Sequence, residues 1–65
     1  MKLLINGEPA EVPENLTVAG LLNLRQQVNT VAVAVNQQFV PRPRHDQHVL
    51  KAGDQVEIVA PMQGG

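Results

Sequence analysis

The sequence contains no cysteine, tryptophan or tyrosine, and Phe39 is its only aromatic residue. Without cysteine the chain cannot form disulfides, a zinc–thiolate site or a thiol nucleophile. With one aromatic ring it offers no series of platforms on which nucleic-acid bases could stack. These absences exclude several common classes of redox, metal-binding and nucleic-acid-binding protein.

An excess of charge and long hydrophobic runs are missing as well. The formal net charge is -1, and the five Lys and Arg residues are too few for a surface that neutralises phosphates. No apolar run approaches the ~20 residues that span a bilayer, and no signal-peptide pattern opens the sequence. We therefore expect a cytoplasmic protein that binds neither nucleic acid nor membrane.

The length of 65 residues predicts one domain near the lower limit for folding on a single core. A chain of this size buries about 60% of the surface that its unfolded form exposes. This leaves little room for a deep catalytic cleft beside the core. We expect a protein on which partner enzymes act, and not an enzyme.

The first third of the chain predicts a hairpin followed by a helix. Residues 1–5 alternate as a strand, Asn6-Gly7 is a strong hairpin-turn signal, and residues 8–12 should return antiparallel. Thr17 can cap the helix, and Leu16 and Leu21 have the spacing of a hydrophobic staple. We expect this helix to end near Gln27 or Val28.

The remaining residues predict three further strand segments. Residues 31–35 are apolar on both faces and should lie inside the sheet, whereas Phe39-Val40 is a short segment before two prolines. The alanines at 32 and 34 form a flat face suited either to a closely packed helix or to a partner protein. Residues 42–48 should be an irregular polar connection, and residues 55–60 should form the last strand.

This order of elements predicts an α+β fold of the β-grasp type. A mixed sheet of four to five strands would carry one helix across one face, with the first and last strands paired in parallel at the centre. We assign residues 1–60 to the β-grasp domain and residues 61–65 to a flexible carboxyl-terminal tail.

The strongest functional signal is the terminal pair Gly64-Gly65, which follows the last predicted strand after a short spacer. Glycine has no Cβ, so such a tail can thread a narrow channel and bring its carboxylate to a partner enzyme. In a chain without cysteine, this carboxylate is also the remaining place to attach sulfur. We predict that the reactive atom is the Gly65 carboxyl carbon and that Gly64 permits threading.

Several other residues are candidates for contacts with a partner. Val59 should lie on the open face of the sheet and, with Pro61 and Met62, could form a patch that leads into the tail. Arg42 and its neighbour Arg44 are either solvated or a docking contact for an acidic partner. Phe39, the largest side chain, is expected in the core.

The sequence gives no sign of a metal or acid–base site. His45 and His48 flank Asp46 and Gln47, but a metal site needs three or four convergent ligands, so a solvated turn is the expected structure. The carboxylates are scattered, and none of them forms a pair suited to general acid–base catalysis.

Two segments resemble a known family. The segments VAVAVNQQFVPR at residues 31–42 and LKAGDQVEIVAPMQGG at residues 50–65 closely resemble the ThiS family, the ubiquitin-like sulfur carriers of bacterial thiamine biosynthesis. The MKLLINGEP opening and the LTVAGLL helix start are compatible with it, so the resemblance covers nearly the whole chain. Gly20 departs from it, because an acidic residue is more usual there; this affects stability and not the tail.

The resemblance implies a carrier cycle on Gly65. A ThiF-like enzyme would adenylate its carboxylate, a cysteine desulfurase route would supply sulfur to give a thiocarboxylate, and thiazole synthase would receive it. ATP and magnesium would belong to the adenylating partner, and this chain would bind no cofactor itself.

Three alternatives remain open. The chain could be a molybdopterin-synthase small subunit or another thiocarboxylate carrier, although those subunits are usually longer. It could be a ubiquitin-like modifier that is joined to lysines, because that use also begins with an adenylated diglycine. It could also be a non-covalent β-grasp interaction module whose terminal glycines are incidental.

Overall fold

The structure, a computed structural model, describes residues 1–26 and 31–59. Within these residues the chain forms five strands, one α-helix and one short 3-10 helix. In chain order they are β1 (Lys2–Ile5), β2 (Glu8–Glu11), α1 (Val18–Leu24), β3 (Ala32–Val35), β4 (Gln38–Val40), the 3-10 helix (Arg42–Arg44) and β5 (Gln55–Val59).

The five strands form one mixed sheet in the order β2-β1-β5-β3-β4. The central pair, β1 and β5, is parallel, and each of the other neighbouring pairs is antiparallel. The predicted parallel pairing of the first and last strands is therefore confirmed, as is the interior position of β3. A five-stranded mixed sheet with one helix across it is the β-grasp fold that the sequence predicts.

Both hairpins turn through two residues with positive φ. Asn6 and Gly7 have φ of 51° and 84° between β1 and β2, while Asn36 and Gln37 have φ of 51° and 69° between β3 and β4. Two successive positive φ values characterise the type I′ turn, whose twist matches that of the flanking strands. The first of these turns was predicted from the Asn-Gly pair, whereas the second has no glycine.

The core lies between α1 and one face of the sheet. Alternate residues of each central strand point into it, as strand geometry requires. The buried apolar residues are Leu3, Ile5, Val18, Leu21, Leu22, Val33, Val35, Val40, Leu50, Val56 and Ile58. The alternation read from the sequence at both ends of the chain is confirmed by this set.

The main-chain N–H groups at the start of α1 donate hydrogen bonds to a capping side chain and to the connection that follows β4. The first N–H groups of a helix have no partners within the helix. Thr17 Oγ1 accepts a hydrogen bond from Gly20 N at 3.0 Å, which confirms the predicted cap. The carbonyl oxygens of His48 and His45 accept hydrogen bonds from Val18 N at 3.0 Å and Ala19 N at 2.8 Å. The irregular connection is thus part of the helix terminus.

The helix is shorter than predicted. It ends at Leu24, whereas the sequence placed its end near Gln27 or Val28, which lie outside the described residues. Gln26 has φ of 59°, and its N–H donates to Asn23 O at 3.1 Å. A left-handed residue just past the helix, bonded back in this way, ends it much as glycine commonly does.

In the part of the chain that the structure describes, no helix has the length and apolar character needed to cross a membrane.

The two leucines at positions 21 and 24 of α1 allow a matched test of the core. Leu21 is 1% exposed and Leu24 is 58% exposed. We expect Leu21→Ala to lower the free energy of unfolding by about 2–5 kcal/mol, because it leaves a cavity. Leu24→Ala makes the same chemical change on the surface and should alter it by less than about 0.5 kcal/mol. Urea unfolding followed by circular dichroism measures both, and equal losses would contradict this description of the core.

Candidate functional site

Within residues 1–26 and 31–59, no element covers the face of the sheet opposite α1, which we call the open face. On β5 the residues that alternate with the buried Val56 and Ile58 point to this face, and Gln55, Glu57 and Val59 are all exposed. Val59 is 61% exposed, which confirms its predicted position on the open face. A central strand of the sheet therefore presents an apolar side chain at its carboxyl end.

Phe39 also lies on this open face, and the expectation that it belongs to the core is wrong. Its side chain is 66% exposed. On β4, Val40 pairs with Val33 and is buried with it, so the preceding residue must point to the other side. The size of the phenyl ring favoured burial, but the alternation of the strand determines the face.

Two residue pairs connect these exposed side chains. Ala32 pairs with Val59, and Ala34 pairs with Phe39. Directly paired residues share a face of the sheet, so all four side chains lie on the open side. We call Ala32, Ala34, Phe39 and Val59 the open-face patch. The flat alanine face thus points away from α1, so α1 is not the helix packed against it, and a contact with a partner protein stays a prediction.

Charged residues surround the open-face patch unevenly. Glu57 pairs with Ala34 and places a carboxylate beside the patch. Arg42 and Arg44 are exposed in the 3-10 helix that follows β4, at the edge of the sheet nearest Phe39. At the opposite edge, β2 carries exposed glutamates at both of its ends. The edge of the sheet formed by β4 is thus followed by two arginines, whereas the edge formed by β2 carries two glutamates.

The carboxyl end of β5 is held by side-chain hydrogen bonds from a distant turn. Asn6 Oδ1 accepts a hydrogen bond from Ile58 N at 2.8 Å, and Asn6 Nδ2 donates one to Ile58 O at 3.3 Å. These contacts join residues that are 52 positions apart in the sequence. They lie immediately before Val59, the last residue described.

The prediction that His45 belongs to a solvated turn is wrong. His45 is 8% exposed, and its Nε2 lies 2.9 Å from Val40 O. Its main-chain carbonyl accepts a hydrogen bond from Ala19 N at the start of α1. His48 is partly buried. Within residues 1–26 and 31–59, no group of three or more His, Cys, Asp or Glu side chains is arranged to hold a metal ion.

The structure describes some of the predicted site residues and not others. Val59 lies on the open-face patch, and Arg42 is the first residue of the 3-10 helix that follows β4. The predicted residues Pro61, Met62, Gly64 and Gly65 lie outside the described residues. Sequence reasoning missed three features. The alternation around Val40 could have revealed the exposure of Phe39, whereas no local signal exists for the burial of His45 or for the contact of Asn6 with β5.

The chain is similar to proteins of known family. The family model described as ThiS family matches residues 3–65. The sulfur carrier protein ThiS of Escherichia coli K12 is 36% identical over 66 aligned positions, which cover all of both chains. A thiazole synthase of Paramagnetospirillum magneticum is 41% identical over 66 positions, which cover all of this chain but only 20% of that protein.

Solved structures agree with the sequence matches. The crystal structure of the thiamine biosynthesis protein ThiS from Geobacter metallireducens superposes with a TM-score of 0.87 at 36% identity, over all of both chains. The solution structure of a thiamine biosynthesis protein from the same organism gives a TM-score of 0.81, over all of this chain and 88% of the other.

The fold and its open face define a small ubiquitin-like protein of the β-grasp class. The family match over nearly the whole length is more specific. The chain belongs to the ThiS family, as the resemblance in the sequence predicted.

Substitutions at two adjacent residues of β4, Phe39 and Val40, test which side of the strand faces solvent. We expect Phe39→Ala to change the free energy of unfolding by less than about 0.5 kcal/mol, because the ring is on the surface. Val40→Ala, the matched control, should lower it by about 2 kcal/mol, because Val40 is buried. Urea unfolding measures the free energy of unfolding of both variants. A larger loss of this free energy in Phe39→Ala than in Val40→Ala would show that the ring supports the core.

Proposed function

We propose that this chain is a sulfur carrier protein whose Gly65 carboxylate is activated, converted to a thiocarboxylate and used as the sulfur donor for thiazole formation in thiamine biosynthesis. The observation that carries the proposal is the match to the sulfur carrier protein ThiS of Escherichia coli over the whole length of both chains. The family model likewise extends to residue 65.

The chemistry begins with a carboxylate, which is a poor electrophile because its charge repels nucleophiles and oxide is a poor leaving group. A ThiF-like enzyme would transfer AMP from ATP to the Gly65 carboxylate and release pyrophosphate. ATP and magnesium belong to that enzyme in this proposal, and the carrier supplies the acyl group. The glycines at 64 and 65 allow the chain to enter a narrow active site, because neither has a side chain that could clash.

Sulfur would then replace AMP. The outer sulfur of a persulfide, supplied through a cysteine desulfurase route, attacks the acyl carbon and displaces AMP to give an acyl disulfide. Attack of a thiolate on the inner sulfur breaks the S–S bond, forms a new disulfide and leaves the thiocarboxylate on Gly65. This sequence needs no thiol on the carrier, which agrees with the absence of cysteine from the chain.

Thiazole synthase is the proposed recipient of the sulfur. The Paramagnetospirillum protein of that name contains, within one chain, a region similar to all of this protein. Two modules linked in one chain meet at a high effective concentration, and such a linkage favours modules that act on each other. The same contact is proposed here between separate chains.

The open-face patch is the proposed docking surface for these partners. Phe39 and Val59 supply exposed apolar area on a rigid sheet, and β5 leads from that surface toward the carboxyl-terminal residues. We extend the surface to Pro61 and Met62, and to Arg42 as a contact for an acidic region of a partner. An aromatic residue at the centre of an interface commonly contributes much of the binding free energy.

Intact-mass spectrometry tests the proposed function. The chain is incubated with a ThiF-like enzyme, ATP, magnesium and a persulfide donor. We expect a mass increase equal to the difference between one sulfur and one oxygen atom, and no increase without ATP. A conjugate with the mass of a second protein would indicate a modifier instead. Transfer to a molybdopterin precursor and not to thiazole synthase would indicate the other class of carrier.

Variants at the last residue locate the reaction. Deletion of Gly65 should abolish thiocarboxylate formation, and Gly65→Ala should slow it at least about tenfold, because a Cβ would obstruct the channel. Phe39→Ala should retain the full mass change but need more carrier to reach half-maximal rate. Normal thiazole formation by the chain that lacks Gly65 would contradict the proposal and would favour a non-covalent interaction module.

A further inference from the structure

Strand β1 leaves the sheet before its neighbour β5 ends. The two strands pair in parallel at Leu4 with Gln55 and at Ile5 with Val56, and Asn6 N donates to Val56 O at 2.8 Å. The chain then reverses through the Asn6-Gly7 turn. Strand β5 continues to Val59, and on its other side β3 accompanies it that far through the pair of Ala32 with Val59.

The side chain of Asn6 continues the hydrogen bonding where the main chain of β1 departs. Its carboxamide carries one C=O and one NH2 group, so it can present the same acceptor and donor as a peptide group. The acceptor takes Ile58 N–H at 2.8 Å, and the donor reaches Ile58 O at 3.3 Å. The Asn6 side chain thus extends the hydrogen bonding between β1 and β5 to Ile58.

Asn36 occupies the equivalent position in the other hairpin but holds a different part of β5. It has the same φ of 51°. Its Oδ1 accepts a hydrogen bond from Gln55 N at 3.0 Å, and its Nδ2 donates to Asp54 Oδ1 at 3.1 Å. Asn36 therefore fixes the start of β5, while Asn6 fixes the end from which the chain runs toward Gly65.

We infer that Asn6 is a positioning residue for the reaction at Gly65. By bonding both main-chain groups of Ile58, it holds the carboxyl end of β5 in the sheet and so fixes the point from which the chain runs toward Gly65. A fixed starting point for the tail raises the fraction of bound complexes in which its carboxylate can react. This inference rests on the proposed function.

A pair of glycine variants separates this role from general stability. Asn6→Gly and Asn36→Gly each keep the positive φ and remove two side-chain hydrogen bonds. We expect Asn6→Gly to lower the kcat of adenylation, measured by ATP–pyrophosphate exchange, about fivefold with little change in KM, because the open-face patch is intact. Asn36→Gly should change kcat less than about twofold at a comparable loss of stability.

Amide hydrogen exchange provides a readout that does not depend on the enzyme. Exchange at Ile58 and Val59 should become faster in Asn6→Gly than in Asn36→Gly, about fivefold when compared at equal free energy of unfolding. If Asn6→Gly is poorly folded, Asn6→Asp serves in its place. It keeps the turn and the acceptor for Ile58 N–H but sets an oxygen against Ile58 O, so kcat should fall in the same direction.

The outcomes distinguish the inference from the function on which it rests. If the unmodified chain is adenylated and the two glycine variants have equal kcat values and equal exchange at Ile58, the role of Asn6 is refuted and the carrier function stands. If the unmodified chain is not adenylated, the proposed function fails, and the role of Asn6 in that reaction fails with it.

Discussion

The position of β5 at the centre of the sheet is the constraint on which the rest of the structure depends. This strand pairs with β1 on one side and β3 on the other, so it joins the two hairpins into one sheet. Its buried residues, Val56 and Ile58, contact the core, and its exposed residues contribute to the open face. The core, the open-face patch and the proposed anchoring by Asn6 therefore all depend on one five-residue strand.

The two faces of the sheet differ in what they contact. One face and α1 enclose a core of valines, leucines and isoleucines, while the connection after β4 completes the helix terminus through main-chain carbonyls. The other face carries no second layer in the described residues, so Phe39 and Val59 remain exposed. A protein of this size can build a single core, so apolar residues on the other face of its sheet stay exposed.

Much of the fold could be predicted because the deciding signals are local. The alternation of apolar residues identified the strands. The Asn6-Gly7 pair identified the first turn, and Thr17 identified the helix cap. The second turn, at Asn36 and Gln37, lacks glycine and so carries a weaker signal in the sequence. The end of α1 was missed because Gln26, a residue that seldom ends helices, takes the left-handed conformation there.

The candidate site was less predictable because it depends on contacts between distant segments. The face on which Phe39 lies follows from the pairing of β4 with β3, and that register is fixed by the turn between them. The burial of His45 follows from the packing of the connection against α1. The bonds from Asn6 to Ile58 need β1 and β5 side by side, which composition and spacing cannot specify residue by residue.

The 52-residue separation between Asn6 and Ile58 also bears on how the protein is made. Folds dominated by such long-range contacts form slowly, because a large loop must close before the contacts can stabilise it. A nascent chain cannot complete its sheet until β5 has left the ribosome. Until then both hairpins lack their shared neighbour, so a chain interrupted before β5 would be a substrate for proteases.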